Sequence, residues 1–255
     1  PWSRVESGLS PVALLSEEAV EAVHDTSMRV LEELGIELMS ARARALFRRA
    51  GAEVDEDTGT VRLDRGLLLE LVAKAPPAFA LTPRNPGRAV HIGGRDVVAT
   101  LVAGPPAVHD CVNGRRASNL ADYENFLRLT HSFNAVHMIG NQVSAPTELD
   151  AETRHLDCYL ANLTLTDRSY HCTAIGRARA LDGIEMMAIA RGMSLEEMAG
   201  SPGVATIISV NSPRRFDEAM AEGLITMAEH GQAVAVTPFT LMGAMTPVTL
   251  PAALA

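Results

Sequence analysis

The sequence predicts an α/β fold: an incomplete (β/α)₈ TIM-type barrel of about five βα units over residues 96–255, preceded by an α+β N-terminal segment over residues 1–95. Two short β-branched apolar runs point to it, 204–210 (VATIISV) and 233–236 (AVAV), each stopping in turn-forming residues, Asn211-Ser212-Pro213 and Thr237-Pro238-Phe239-Thr240. Between them, over 214–230, Phe216, Met220, Leu224, Ile225 and Met227 recur at helical spacing and Gly231 supplies a stop. The same strand–helix alternation runs from Asp96 onward, about every 30 to 40 residues. Parallel sheets made of such units are buried on both faces, and their ligands collect beyond the carboxyl ends of the strands.

Taken in order, residues 1–11 form an irregular arm rich in serine, glycine and proline. Ser16 with Glu17 and Glu18 opens a helix whose apolar stripe (Val20, Val23, Met28, Leu31, Leu34) ends at Gly35. A second helix covers 41–50, and 53–63, with Asp57-Thr58-Gly59 between β-prone pieces, reads as a hairpin. A helix over 64–75 stops at Pro76-Pro77, and 79–82 and 89–92 are short strands. The barrel then starts with strand 97–103, ending in Gly104-Pro105-Pro106, with His109 and Asp110 in the loop beyond. A helix capped by Ser118 runs to 132. Strand 135–139 ends in Gly140-Asn141, and a helix follows over 147–165. Strand 169–174, helix 177–191 and a short helix 194–199 lead to the two apolar runs.

An open dinucleotide-binding sheet would carry Gly-x-Gly-x-x-Gly after its first strand; Gly104-Pro105-Pro106 does not supply it, and no phosphate-binding loop occurs. Prolines near several strand ends (105, 146, 213, 238) suit the loop-rich mouth of a barrel.

With 47% hydrophobic and 21% charged residues, the 255-residue chain has material for a sizeable core. A net charge of −9 leaves no basic stripe, so nucleic acid is not an expected partner. Three scattered cysteines argue against a disulfide framework and suit a reducing cytoplasm. No apolar run reaches the ~18 residues of a membrane span. The start at Pro1 and the end at Ala255, within a helix just beginning, both suggest a fragment.

His171, Asn141 and Asn211 are the candidate catalytic residues. Within its strand His171 shares a face with Thr173, opposite Tyr170 and Cys172; facing the axis it could donate a hydrogen bond or move a proton, and otherwise it is a satisfied core histidine. Asn141 and Asn211 follow strands directly, where an amide orients a ligand or caps a loop. His109 and Asp110, as a carboxylate-oriented imidazole, Thr237 and Thr240, through their hydroxyls, and Tyr170 and Phe239, as aromatic faces for a quaternary ammonium, are candidate binding residues. Packing and turn formation are the alternatives for each. His155-x-x-Cys158 lacks the further ligands of a zinc site, so no metal is expected, and no Gly-x-Ser-x-Gly supports a hydrolase. Lys74, the single lysine, lies in a front helix, which weakens a Schiff-base aldolase or lyase.

Several stretches resemble the trimethylamine methyltransferase superfamily of corrinoid-dependent methyltransferases: VHDTSMRVLEELGIEL around Ile36, Gly51-Ala52-Glu53-Val54-Asp55, Asn113-Gly114-Arg115-Arg116 with Leu120-Ala121-Asp122, and above all the terminal TPFTLMGAMTPVTLPAALA. The resemblance runs through the whole chain and implies the N-terminal half, or somewhat more, of a longer protein. It implies a barrel that passes a methyl group from a methylated amine, trimethylamine or a quaternary amine such as glycine betaine, to the cobalt of a separate corrinoid protein. No cofactor would then be bound directly. The resemblance further implies that a pyrrolysine, in the trimethylamine-specific branch, would lie beyond Ala255. On this reading His171, Asn141 and Asn211 line the substrate pocket, and Thr237 to Thr240 shape its floor. A second reading is a non-catalytic amine-binding or assembly module, or an inactive fragment whose open barrel edge pairs with another chain; a homo-oligomer is expected.

Overall fold

The computed structural model describes residues 2–211, 213–238 and 240–254, so Ser212 and Phe239, the latter one of the expected binding residues, lie outside the described residues. By contact the chain divides into two compact units. One comprises Pro1–Ser7, Pro77–Ile207 and Thr226–Ala235, the other Gly8–Pro76, Ile208–Ile225 and Val236–Ala255. Residues 77–95, grouped by sequence with the N-terminal segment, thus cluster with the residues that follow them.

In the second of these units, helix α1 (Glu17–Arg29) opens on Ser16, whose hydroxyl accepts the Ala19 N–H at 3.2 Å beside two acidic first-turn residues. The stripe expected to continue as α-helix widens at its end: Val30–Leu34 is a π-helical turn, closed by the Gly35 N–H on the Val30 carbonyl at 2.9 Å. Strand β1 (Ile36–Leu38) and helix α2 (Ala41–Ala50, capped by Ser40) follow. The expected hairpin is present as β2 (Glu53–Asp55) antiparallel to β3 (Thr60–Arg62), its turn held by the Asp55 carboxylate on the Asp57 and Thr58 N–H groups. Asp64 caps α3 (Arg65–Val72).

Farther along the chain, Arg215–Phe216, numbered β9 by its place, pairs parallel to β1 and completes a sheet of order β2-β3-β1-β9. The helix expected from residue 214 therefore begins only at Glu218 (α8, Glu218–Glu229), because Arg215 and Phe216 are drawn into the sheet and Asp217 accepts the Met220 N–H at 2.7 Å. Leu38, Val61, Leu63, Ala43, Ala52, Ala221 and Ile225 form the core here. Each large side chain in it contributes about 1.5–3 kcal/mol of burial. Helix α9 (Leu250–Leu254) closes the described chain.

The other unit starts with an antiparallel pair, β4 (Ala78–Leu81) and β5 (Val90–Gly93), whose Leu81 and Val90 pack with Met138, Ala205 and the Trp2 ring. A second hairpin, β6 (Ala107–Asp110) with β7 (Gly114–Ala117), occupies the stretch expected as loop, so His109 and Asp110 are strand residues. Helices α4 (Leu120–Ser132), α5 (Arg154–Leu165), α6 (Arg177–Arg191) and α7 (Leu195–Ala199) alternate with extended segments that lead to β8 (Ala205–Val210). Two helix starts differ from expectation. Asn119, not Ser118, caps α4: its side chain accepts the Asp122 N–H at 2.9 Å and Asp122 returns the bond to the Asn119 N–H, a full capping box. The helix expected from 147 begins at Arg154, because the Asp150 carboxylate captures the Glu152 N–H at 2.8 Å and ties 147–153 into turns.

The segments expected as strands 97–103, 135–139 and 169–174 are joined by single parallel bridges rather than long ladders: Thr100 with Met138, Ile139 with Tyr170, and His171 with Ala205. Neighbours in space are thus neighbours in sequence, and β8 is in turn hydrogen-bonded to β10 (Ala233–Pro238). The buried Arg168 fixes the entry to the second segment, donating to the carbonyls of Val136, His131 and Phe133. Among the described residues no helix is long and apolar enough to cross a membrane.

Candidate functional site

Three consecutive strand ends are knitted together in the unit that holds residues 77–207. The Gly104 N–H donates to the Gln142 carbonyl at 2.8 Å and the Ala145 N–H to the Pro105 carbonyl at 2.9 Å, joining the ends of the first two segments. Gly140 is required there, since a Cβ would overlap the Leu101 carbonyl. Gln142 takes a left-handed φ of 47°, a strained choice for a side-chain-bearing residue that the surrounding bonds enforce. The second and third ends are joined through side chains: Thr173 Oγ1 donates to Asn141 Oδ1 at 2.7 Å.

Which way the third segment faces follows from its contacts. Tyr170 is fully buried, stacks on Tyr159 of α5 at 5.4 Å and donates its hydroxyl to the Gly183 carbonyl of α6 at 3.0 Å. Its aromatic face is used in packing, so it is not open to a ligand as expected. Cys172 lies on the same side, against Gly183 and Met227. By strand alternation His171 and Thr173 point away from these helices. His171 is half-buried and its ring makes no hydrogen bond to another described residue; burial lowers its pKa from the usual histidine value, so the imidazole is neutral at pH 7. The half-exposed Ile207, two residues beyond Ala205 on the neighbouring β8, adds an apolar surface on this face.

Asn141 Oδ1 is taken up by Thr173, and its Nδ2 has no hydrogen-bond partner among the described residues. The face therefore offers an oriented amide N–H donor, a neutral imidazole and apolar surface, without a carboxylate among these side chains. Such a set can donate hydrogen bonds to an acceptor group of a small ligand beside an apolar surface.

The remaining candidates have other employment. His109 is exposed, opposite Arg115 in the hairpin, and Asp110 does not orient it. The Asp110 carboxylate accepts the Asn113 and Val112 N–H groups at 2.7 and 2.9 Å and faces Arg116, which together hold its pKa down to about 2. In the unit holding residues 208–225, Asn211 accepts the Asp217 N–H at 3.0 Å and thereby orders the entry to α8. Thr237 donates to the Ile208 carbonyl at 3.4 Å, and Thr240 is exposed. His155 pairs with Asp182 at 2.8 Å, and no group of three metal-ligating side chains occurs among the described residues.

Two residues of this hydrogen-bonded arrangement were not named as candidates from the sequence. Thr173 was detectable, since period two puts it on the face of His171. Tyr159, a helix residue whose phenol accepts the Thr173 N–H at 2.6 Å, had no sequence signal.

A family model described as Trimethylamine methyltransferase (MTTB) matches residues 1–255, the whole chain. The chain belongs to the trimethylamine methyltransferase family. Among curated members, a glycine betaine methyltransferase of Desulfitobacterium hafniense (strain Y51) is 32% identical over 93% of this chain and 49% of its own length. A trimethylamine methyltransferase MttB of D. hafniense (strain DSM 10664 / DCB-2) is 24% identical over 97% and 51% of the two chains. A proline betaine:corrinoid methyltransferase of Eubacterium limosum is 25% identical over 94% and 49%. This trimethylamine methyltransferase family chain thus spans about half the length of the curated relatives it matches.

Proposed function

We propose that this chain holds the substrate in an enzyme that moves a methyl group from a methylated amine to the cobalt of a corrinoid protein, and that its donor is a carboxylate-bearing quaternary amine such as glycine betaine. The observation that carries this reading is the hydrogen bond from Thr173 to Asn141, which commits Oδ1 and leaves the amide N–H pair as donor. A quaternary nitrogen has no lone pair to accept that donor; a carboxylate does. The neutral His171 spares the substrate's cationic head the repulsion that an imidazolium would exert.

The role of these side chains is positional. Asn141 anchors the carboxylate, the apolar wall at Ile207 meets the methylated head, and the neutral His171 offers a second hydrogen-bond donor. Holding the head in line is worth much here, because the reaction needs little beyond orientation and exclusion of water. The corrinoid, carried by a separate partner protein, supplies the nucleophile that accepts the methyl group. The small amide, hydroxyl and imidazole set suits a zwitterion of a few heavy atoms, so the macrocycle is assigned to the partner.

The frame in this reading is the opening part of a (β/α)₈ barrel. Support comes from the order of the parallel bridges, each joining a segment to the next in sequence. A doubly wound open sheet instead reverses its strand order at a switch point.

The test is methyl transfer by the gene-encoded protein to a reduced corrinoid protein, using glycine betaine, proline betaine, choline, tetramethylammonium and trimethylamine. Transfer from the betaines above the carboxylate-free amines supports the reading. Transfer from none of them overturns the enzymatic assignment, and transfer from the carboxylate-free amines alone overturns the substrate class.

A further inference from the structure

Tyr159 ends a chain of contacts that reaches the strand-end site from the far side of the sheet. Its ring is buried on α5 between the His155 imidazole, edge-on at 5.5 Å, and the Tyr170 ring at 5.4 Å. His155 is pinned by Asp182 at 2.8 Å, so the ring has little freedom to move. Its hydroxyl accepts the Thr173 N–H at 2.6 Å and donates to the Arg179 carbonyl at 3.4 Å.

That bond occurs where sheet pairing stops. The Cys172 N–H still donates to Ala205 of the adjacent strand at 2.8 Å; one residue later the backbone donor goes to a helix side chain instead. The Thr173 backbone is therefore placed by Tyr159, and with it the hydroxyl that donates to Asn141. Both residues are buried, which leaves the Thr173 N–H no water to bond with if the phenol is removed.

We propose that Tyr159 is a positioning residue for substrate binding, acting through Thr173 to fix the Asn141 amide. The proposal rests on the reading of Asn141 as the carboxylate anchor. Tyr159 touches no substrate; it sets which way the anchor points.

An anchor that grips substrate and transition state alike affects KM more than kcat. In the gene-encoded protein assayed with its corrinoid partner, Tyr159→Phe is expected to raise the KM for glycine betaine about tenfold, with kcat within about twofold, an anchor loss of roughly 1.4 kcal/mol. The KM for tetramethylammonium, which has no carboxylate, should stay unchanged. Thr173→Val should give the same pattern, Thr173→Ser should restore the wild-type KM, and the double variant Tyr159→Phe/Thr173→Val should be no worse than Thr173→Val alone. A merely structural Tyr159 would instead lower the active fraction, cutting kcat for both donors at constant KM, and that result overturns the proposal. If Tyr159→Phe does not fold, 3,5-difluorotyrosine at 159 keeps the ring while weakening the phenol as acceptor, and the KM for glycine betaine must again rise selectively; an unchanged KM overturns the proposal. Asn141→Ala separates the two levels. If it leaves the betaine KM unaltered, the anchor reading itself is wrong; if it raises that KM while Tyr159→Phe does not, only the positioning role is wrong.

Discussion

The Tyr170 hydroxyl donates to the Gly183 carbonyl at 3.0 Å, tying a strand residue to the middle of helix α6. The approach is possible because position 183 has no side chain: a Cβ there would stand 2.7 Å from the Cys172 Cβ and 3.3 Å from the Tyr159 ring. The seat of α6 on the strand that bears His171 and Thr173 thus depends on one glycine.

Gly183→Ala should therefore destabilise the protein by about 1–3 kcal/mol, the usual range for overpacking a filled core. The partial compensation from alanine's better helix propensity, roughly 1 kcal/mol, places the result toward the lower end. Urea denaturation of the wild type and the variant measures it. Equal stability would mean that the helix can move away at no cost.

The depressed pKa of His171 makes a pH prediction with a definite sign. Burial lowers its folded-state pKa below the ~6.5 of the unfolded chain, so between the two values the unfolded state binds more protons. The stability contributed by the neutral ring is complete above about pH 6.5 and is lost as pH falls below that value toward the lowered folded pKa. The stability difference between wild type and His171→Gln should accordingly shrink as acid is added through this window. A difference that is flat from pH 7.5 to 5 would show that the ring is not desolvated as described.

Thiol chemistry should divide the cysteines. Cys111 is exposed, whereas Cys158 and Cys172 are buried with pKa values pushed up to about 12 by desolvation. Thiolate is the reactive form. A disulfide reagent at pH 8 should release one equivalent quickly from the native protein, that equivalent should vanish in Cys111→Ser, and the other two should appear only on unfolding. Rapid release of three equivalents would contradict the packing around α5 and the third strand segment.

The elements that the sequence made legible are those whose signals are local. The capping serine at 16, the helix over 41–50 and the turn at Asp57-Thr58-Gly59 each depend on signals within a few residues, and the structure carries all of them. Errors arose where a distant partner decided. Arg215 and Phe216 have helical spacing but pair with β1, which lies far back in the chain. The apolar stretches before Gly104 and Gly140 have strand composition, yet each meets its neighbour through single bridges. His109-Asp110 looked like a loop because both residues are polar and their hairpin partners, Arg115 and Gly114, lack strand composition.

The geometry of the candidate site was legible only in part. Period two and the position after a strand were enough to select Asn141 and His171, because both are properties of the chain itself. What Asn141 bonds to, and why its amide is oriented, depends on Thr173 across the sheet and on Tyr159 beneath it. Tyr170 failed as an aromatic binding face for the complementary reason. Alternation turns it toward α5 and α6, where Tyr159 and Gly183 occupy it.

The most direct measurement is a crystal structure of the gene-encoded protein with glycine betaine bound. The account predicts a carboxylate oxygen within about 3 Å of Asn141 Nδ2, with Thr173 still donating to Oδ1 and the trimethylammonium head directed away from the amide. A carboxylate held by other residues, with Asn141 out of reach, would contradict it.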